Sequence, residues 1–341
     1  MAEFDLIGMI RARSRALADA RDDVVLGIGD DAALLRVPAG HELVVTADTL
    51  NAGVHFPSDA TAADIGWKAL AANLSDLAAM GARPAWCTLS LSLPQADAEW
   101  VGGFLDGFLE LAAAHGIALA GGDTTRGPLS IAVTAMGHVE AGAALRRARA
   151  RAGDDIWVTG ALGDAAGALV LGGHLPPPGA GADASVHAGA DAAVPAASPS
   201  DAAFLAARLH RPTPRVEAGR RLQGLARACV DVSDGLLADL GHVCARSGVG
   251  AEVAVASLPA SDALRRVFGM HAIALQAGGG DDYELCFTAP PALRDAVMLA
   301  LEQAGVEGTR IGRIVAGSGV RALDADGHEW HPPRSGYIHF L

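Results

Sequence analysis

Lys68-Ala69-Leu70-Ala71-Ala72-Asn73-Leu74-Ser75-Asp76-Leu77-Ala78-Ala79-Met80-Gly81 is the stretch from which the fold can be read. At 100° per residue, Leu70, Leu74 and Leu77 form one apolar stripe. Thr61 can cap such a helix, Asp64 stands three residues later, and Gly81 can stop it, which predicts a helix over 61–80. Asn73 falls on the stripe and Asp76 on its edge. Two readings are open there: an internally bonded Asn beside a solvated Asp, or oxygen ligands aimed at a shared metal.

Further aspartates recur in apolar surroundings on both sides of this helix. Asp30 lies in Val25-Leu26-Gly27-Ile28-Gly29-Asp30-Asp31, and Asp48 closes Leu43-Val44-Val45-Thr46-Ala47-Asp48. Asp123 closes Ile117-Ala118-Leu119-Ala120-Gly121-Gly122-Asp123, and Asp231 and Asp234 lie in Cys229-Val230-Asp231-Val232-Ser233-Asp234-Gly235. Each strand-led segment is read as a turn out of a strand. A carboxylate beside apolar residues is costly unless something positive compensates it. Hard oxygen ligands from several segments suit Mg²⁺, which in such sites usually accompanies a nucleotide phosphate.

The glycines before Asp123 would let backbone N–H groups approach a phosphate, although a GGD run is also common in turns. The chain lacks a GxxxxGK[ST] loop, which argues against a P-loop enzyme. Ser233 is the expected N-cap of a helix over 234–247, where Asp231 and Asp234 would repel a phosphate unless a divalent ion bridged them. Gly278-Gly279-Gly280-Asp281-Asp282 reads as a close backbone approach, a hinge or a hairpin turn. Tyr283, Leu285 and Phe287 would share one strand face beyond it. His55 stands in a loop, and Gly336-Tyr337-Ile338-His339-Phe340 ends the chain with aromatics that can pack on the core or stack on a flat ring.

Periodicity predicts helices over 1–20, 97–115, 214–226 and 292–304. It predicts strands over 42–50, 86–93, 129–139, 155–159, 228–232 and 284–288, and one ending at Gly121-Gly122. Residues 146–153 are polar and non-periodic and mark a crossing between an N-terminal unit, 1–145, and a C-terminal unit, 146–341. Residues 172–203, with Pro176-Pro177-Pro178, read as a flexible insertion, with order resuming near Phe204. The fold class expected is α/β with mixed sheets in two domains.

The chain has 341 residues, enough for two cores, and a formal net charge of −13, which argues against binding nucleic acid or an anionic membrane. Its 4 cysteines form no CxxC pair and read as buried reduced thiols. The start lacks a signal pattern and no apolar run approaches a membrane span, so a cytoplasmic location is expected.

Taken in order, these segments resemble the thiamine-monophosphate kinases. The stretches that carry the likeness are Gly29 to Leu34, Thr46 to Leu50, Lys68 to Gly81, Gly121 to Pro128, Val158 to Asp164, Asp231 to Leu240 and Asp282 to Leu285. The resemblance implies the aminoimidazole ribonucleotide synthetase-like fold, with the N-terminal domain pairing across a homodimer. It implies ATP-dependent conversion of thiamine monophosphate to thiamine diphosphate with several Mg²⁺ ions. Asp30, Thr46, Asp48, Asp76, Asp123, Asp231 and Asp234 would bind the metal, with Asp48 and Asp123 the catalytic pair. Gly122, Asp123, Arg147 and Ser233 would meet ATP. His55, Asp281 and Tyr337 would meet the thiamine phosphate, Asp281 standing where the family commonly has Glu. The alternatives are another ATP-using member of the superfamily with a different acceptor, and a non-catalytic nucleotide-binding module.

Overall fold

The predicted helix over 61–80 is present one residue shorter at each end, as α2 (Ala62–Ala79) in a computed structural model of the chain. The structure describes residues 3–178, 194–334 and 336–337. Thr61 caps α2 reciprocally with Asp64: the Asp64 N–H donates to Thr61 Oγ1 at 3.2 Å, and that hydroxyl donates to the Asp64 carboxylate at 2.8 Å. Leu70, Leu74 and Leu77 are fully buried.

The chain divides into two units, one of residues 1–77 and 82–144, the other of 78–81 and 145–341. The first opens with α1 (Glu3–Asp19), then a small ribbon of β1 (Val24–Leu26) and β2 (Leu34–Leu35). Around α2 and α3 (Ala98–His115) come β3 (His41–Asn51), β4 (Arg83–Leu93), β5 (Ala118–Arg126) and β6 (Ser130–Glu140). These four strands form one sheet in the order β3-β6-β4-β5. α2 and α3 touch backbone to backbone, since a Cβ on Gly66 would strike the Phe104 carbonyl and one on Gly107 the Ala63 carbonyl. The alternation expected for 86–93 breaks at its start: register shifts around Trp86 and Cys87 bury both neighbours.

The second unit is built on a seven-stranded sheet in the order β13-β12-β9-β11-β7-β10-β8. Its strands are β7 (Asp155–Thr159), β8 (Ala228–Val232), β9 (Gly250–Ala254), β10 (Glu284–Ala289), β11 (Gly308–Val315), β12 (Gly319–Leu323) and β13 (Glu329–Trp330). Only the β12–β9 pair is parallel. The helices are α4 (Asp164–Leu171), α5 (Pro199–His210), α6 (Val216–Arg221), α7 (Leu236–Ser247), α8 (Asp262–Phe268), α9 (Ala272–Gly278) and α10 (Arg294–Gln303). One apolar core joins the central strands to α7, and a second gathers α4, α5, α8 and α9.

Several expectations shift. Helix α5 begins at Pro199, ahead of the expected start near Phe204, because Ser198 caps it by accepting the Asp201 N–H at 3.1 Å and Pro199 takes the first turn. The middle of the expected insertion, 179–193, and residues 338–341 of the aromatic end lie outside the described residues. The helix expected over 214–226 is confined to Val216–Arg221. Asp48 and Asp123 sit inside β3 and β5 rather than at their ends. Among the described residues no helix is long and apolar enough to cross a membrane.

Candidate functional site

In the N-terminal unit, three of the expected ligands lie on adjoining elements, β3 and α2, and two of them, Thr46 and Asp76, are in contact. Thr46 and Asp48 lie two residues apart on β3, on the face toward α2. The Thr46 hydroxyl donates to the Asp76 carboxylate. The Asp48 N–H donates to Asn73 Oδ1 at 3.2 Å, while Asn73 Nδ2 donates to the Ala69 carbonyl at 3.1 Å. Asn73 is internally bonded, as the first of the two readings expects, and its bond orients the strand that carries Asp48; Asp76 is not solvated but half-buried and bonded to Thr46. These donors are two carboxylates and a hydroxyl, a set of hard oxygens that fits Mg²⁺.

Asp30 is exposed in a loop where Ile28 and Asp30 form an isolated bridge, and its carboxylate accepts the Asp31 N–H at 2.9 Å. Asp123 does not join Asp48. Asp48 shares a cross-strand row with Val133, Leu89 and Gly122, whereas Asp123 shares the next row with Ser90, Ala132 and Thr49. Successive rows face opposite sides, and β3 and β5 are the two edges of the sheet, about 14 Å apart. Gly122 has φ +154°, and a Cβ there would collide with the Leu89 carbonyl, so only glycine permits this approach.

His55 Nδ1 accepts the Asn51 N–H at 3.0 Å, which places the proton of the neutral ring on Nε2. Lys68, buried, donates to the His55 carbonyl at 2.9 Å. Its place at the head of the quoted stretch gives no hint of this bond.

In the C-terminal unit, Asp231 is buried on β8 and Asp234 is half-buried in the turn after it. Ser233 is not the helix cap. α7 starts at Leu236, and Asp239, one turn inside it, accepts the N–H groups of Ser233, Asp234 and Gly235, each at 3.1 Å. Burial pushes the Asp239 carboxyl up to about 7, the nearby Asp234 adding to the rise and the three N–H bonds opposing it. An Asp one turn beyond an Asp-Gly pair is the sequence signal for this inward cap.

The triple glycine is a close approach. A Cβ would strike the Arg334 carbonyl from Gly278, the Leu275 carbonyl from Gly279 and the Ser233 carbonyl from Gly280. Asp281 and Tyr283 follow at φ +66° and +51°, the two non-glycine residues with positive φ among those described. Tyr283 therefore precedes β10 instead of sharing its face with Leu285 and Phe287. The Tyr283 hydroxyl donates to Asp281 Oδ1 at 3.0 Å. The Tyr337 N–H donates to the Asp234 carbonyl at 2.9 Å, and its side chain is half exposed. The Arg147 side chain is exposed, and its carbonyl accepts the Ser247 hydroxyl at 2.8 Å. The Asp324, Asp326 and His328 group is a surface turn whose N–H groups at 326 and 328 bond Asp324 Oδ1.

Two mixed α/β units, each presenting aspartates on adjoining elements, define the class: the N-terminal domain model of AIR synthase related proteins matches 29–139 and the C-terminal domain model matches 151–324. The thiamine-monophosphate kinase of Salmonella typhimurium is 44% identical over 340 residues, covering 99% of this chain and 98% of that one. The crystal structure of thiamine-monophosphate kinase from Stenotrophomonas maltophilia is 56% identical, with TM-score 0.82 over 97% of this chain and 98% of its own. AaThiL complexed with AMPPCP and TMP is 30% identical, with TM-score 0.72 over 99% and 97%. The chain belongs to the thiamine-monophosphate kinase family, within the AIR synthase related proteins.

Proposed function

We infer that this chain is a kinase that transfers a phosphoryl group from ATP to thiamine monophosphate, giving thiamine diphosphate. The observation that carries this is the match to named thiamine-monophosphate kinases along essentially the whole chain, both domains included. The oxygen donors on β3 and α2 support it from the chemistry. The nucleophile is a phosphate oxygen of the acceptor. A phosphomonoester's second pKa is about 6, so that oxygen is already largely ionised at neutral pH and needs no general base. What opposes reaction is the repulsion of two anions. Mg²⁺, when bound, would neutralise the phosphates of both substrates.

Asp30, Thr46, Asp48, Asp76 and Asp123 of the N-terminal unit and Asp231 and Asp234 of the C-terminal unit would hold several Mg²⁺ ions; Asp48 and Asp123, the catalytic pair, stand on opposite faces of the sheet and would bind different ions. Gly122, Asp123, Arg147 and Ser233 would bind ATP. Asp239 already occupies the N–H groups at 233–235, which leaves the Ser233 side chain as its contribution. His55, through Nε2–H, and Asp281 and Tyr337 would bind thiamine monophosphate. Transfer is direct and in line, so no phosphorylated protein accumulates during turnover.

A homodimer is part of this reading. The outer row of edge strand β3 exposes Leu43 at 46% and Val45 at 55%, an apolar edge of the kind a second copy would cover. Four buried free cysteines fit a reducing compartment, and we place the enzyme in the cytoplasm.

A coupled ADP-release assay across a panel of phosphorylated acceptors tests the function. Release with thiamine monophosphate and none with the others supports it. ATP binding without ADP release on any acceptor would leave a nucleotide-binding module instead.

A further inference from the structure

Behind the Asp281 turn, inside the C-terminal unit, lies a buried charge cluster that the proposed mechanism does not use. Asp164, Asp282 and Glu284 gather there with Arg208 and Arg215. Arg215 grips Glu284 through two bonds of 2.6 and 2.5 Å. Arg208 bonds Glu284 at 2.9 Å and lies 3.6 Å from Asp164. Glu284 also accepts the Thr159 hydroxyl at 2.7 Å. Two guanidiniums face three carboxylates, and both guanidiniums are spent on Glu284 and Asp164.

Asp282 is the third carboxylate, 2% exposed. Its two oxygens accept the Gly163 N–H at 2.9 and 3.0 Å, at the head of α4. Burial drives its carboxyl far up. The Gly163 bond and Arg208 oppose the rise, and Asp164 and Glu284 add to it. A neutral carboxylic acid still offers its carbonyl oxygen to an N–H.

The residues on either side of Asp282 carry the strain, at φ +66° and +51°. Their N–H groups are tied to the end of β8 and the turn after it: Tyr283 to the Val232 carbonyl and Asp281 to the Ser233 carbonyl, both at 2.8 Å. Asp282 therefore turns inward between two outward ties and joins three segments, 159–164, 231–235 and 278–283. We propose that Asp282 is a positioning residue whose hold on the Gly163 N–H fixes the strained turn and so the direction in which Asp281 meets the acceptor. This rests on the assignment of Asp281 to thiamine monophosphate made above.

The test compares Asp282→Ala, which deletes the bond, with Asp282→Asn, which keeps a neutral carbonyl oxygen in place. Full-length protein is assayed for KM of each substrate, kcat, and amide hydrogen exchange over 278–285. Asp282→Ala should raise KM for thiamine monophosphate about tenfold or more, leave KM for ATP within about twofold, and speed exchange in the turn. Asp282→Asn should stay within about threefold of the parent on every measure. If Asp282→Ala does not fold, Asp282→Ser, whose shorter side chain also gives up the bond, is read in the same way. The idea is overturned by unchanged exchange in the turn, by equal rises in both KM values, or by Asp282→Asn behaving as Asp282→Ala. Asp281→Ala separates the two claims. If it leaves KM for thiamine monophosphate unchanged while Asp282→Ala still loosens the turn, the Asp281 assignment fails and the positioning stands. If it raises KM while Asp282→Ala changes nothing, the positioning fails and the assignment stands.

Discussion

Asn73 ties α2 to β3 in the N-terminal unit. It is fully buried, it satisfies the Ala69 carbonyl, and it accepts the N–H of Asp48. Asn73→Ala should cost about 1–3 kcal/mol of stability, the usual penalty for stranding buried polar groups, and should lower turnover by loosening Asp48. Thermal unfolding and ADP release measured on the same preparation check both, and an unchanged melting temperature would contradict the account. The sequence showed Asn73 and Asp76 on the helix stripe because the period of 3.6 is a strong signal. It hid the role of Lys68, which acts on the His55 carbonyl, a backbone partner that leaves no trace in residue type, whereas the Asp239 cap could have been read from its place one turn beyond Asp234-Gly235. It also misplaced the cap: Ser233 has the right chemistry, but Asp239 reaches the same N–H groups from inside the helix.

Elements with strong periodicity were legible, and those held by tertiary packing were not. α2, α3, β3 and β6 appear within about two residues of their expected bounds, within the normal scatter of helix and strand ends. β9, α8, α9, β11 and β12 are short, five to eight residues each, and too short for a period to stand out from the sequence. Gly107 illustrates a close element pair: Gly107→Ala would drive a methyl into the Ala63 carbonyl and should destabilise by about 1–3 kcal/mol or more, measured by denaturant midpoint. A wild-type midpoint would mean that α2 and α3 are not in backbone contact. The buried cluster that joins α4, α5 and β10 gives a pH prediction. Burial raises the Asp164 carboxyl, with Ser261 and Arg208 opposing and Glu284 adding. A group raised in the fold binds protons more tightly there than in the unfolded chain, so its stabilisation is complete at acid pH and is lost as pH rises above the ordinary carboxylate value. Asp164→Asn should therefore lose less stability than the parent between about pH 4 and neutrality. Parallel melting curves across that range would show that Asp164 does not titrate in the folded cluster.

At the scale of the whole molecule, the family likeness runs through both domains. The apolar outer row of β3 belongs to this scale as well. Val45→Glu would place a charge on the surface that the proposed dimer would bury, and would be expected to convert that dimer to monomer in sedimentation equilibrium. A parent protein that sediments as a monomer would remove the dimer from the account. The separation of Asp48 and Asp123 to opposite edges of one sheet makes that pair the sharpest place to press. Asp48→Asn and Asp123→Asn are each measured for ADP release with thiamine monophosphate under saturating ATP and Mg²⁺, with melting temperature as the control. The account predicts a fall of at least about a hundredfold in each, with melting temperature unchanged. Near-parental turnover in either variant would contradict it.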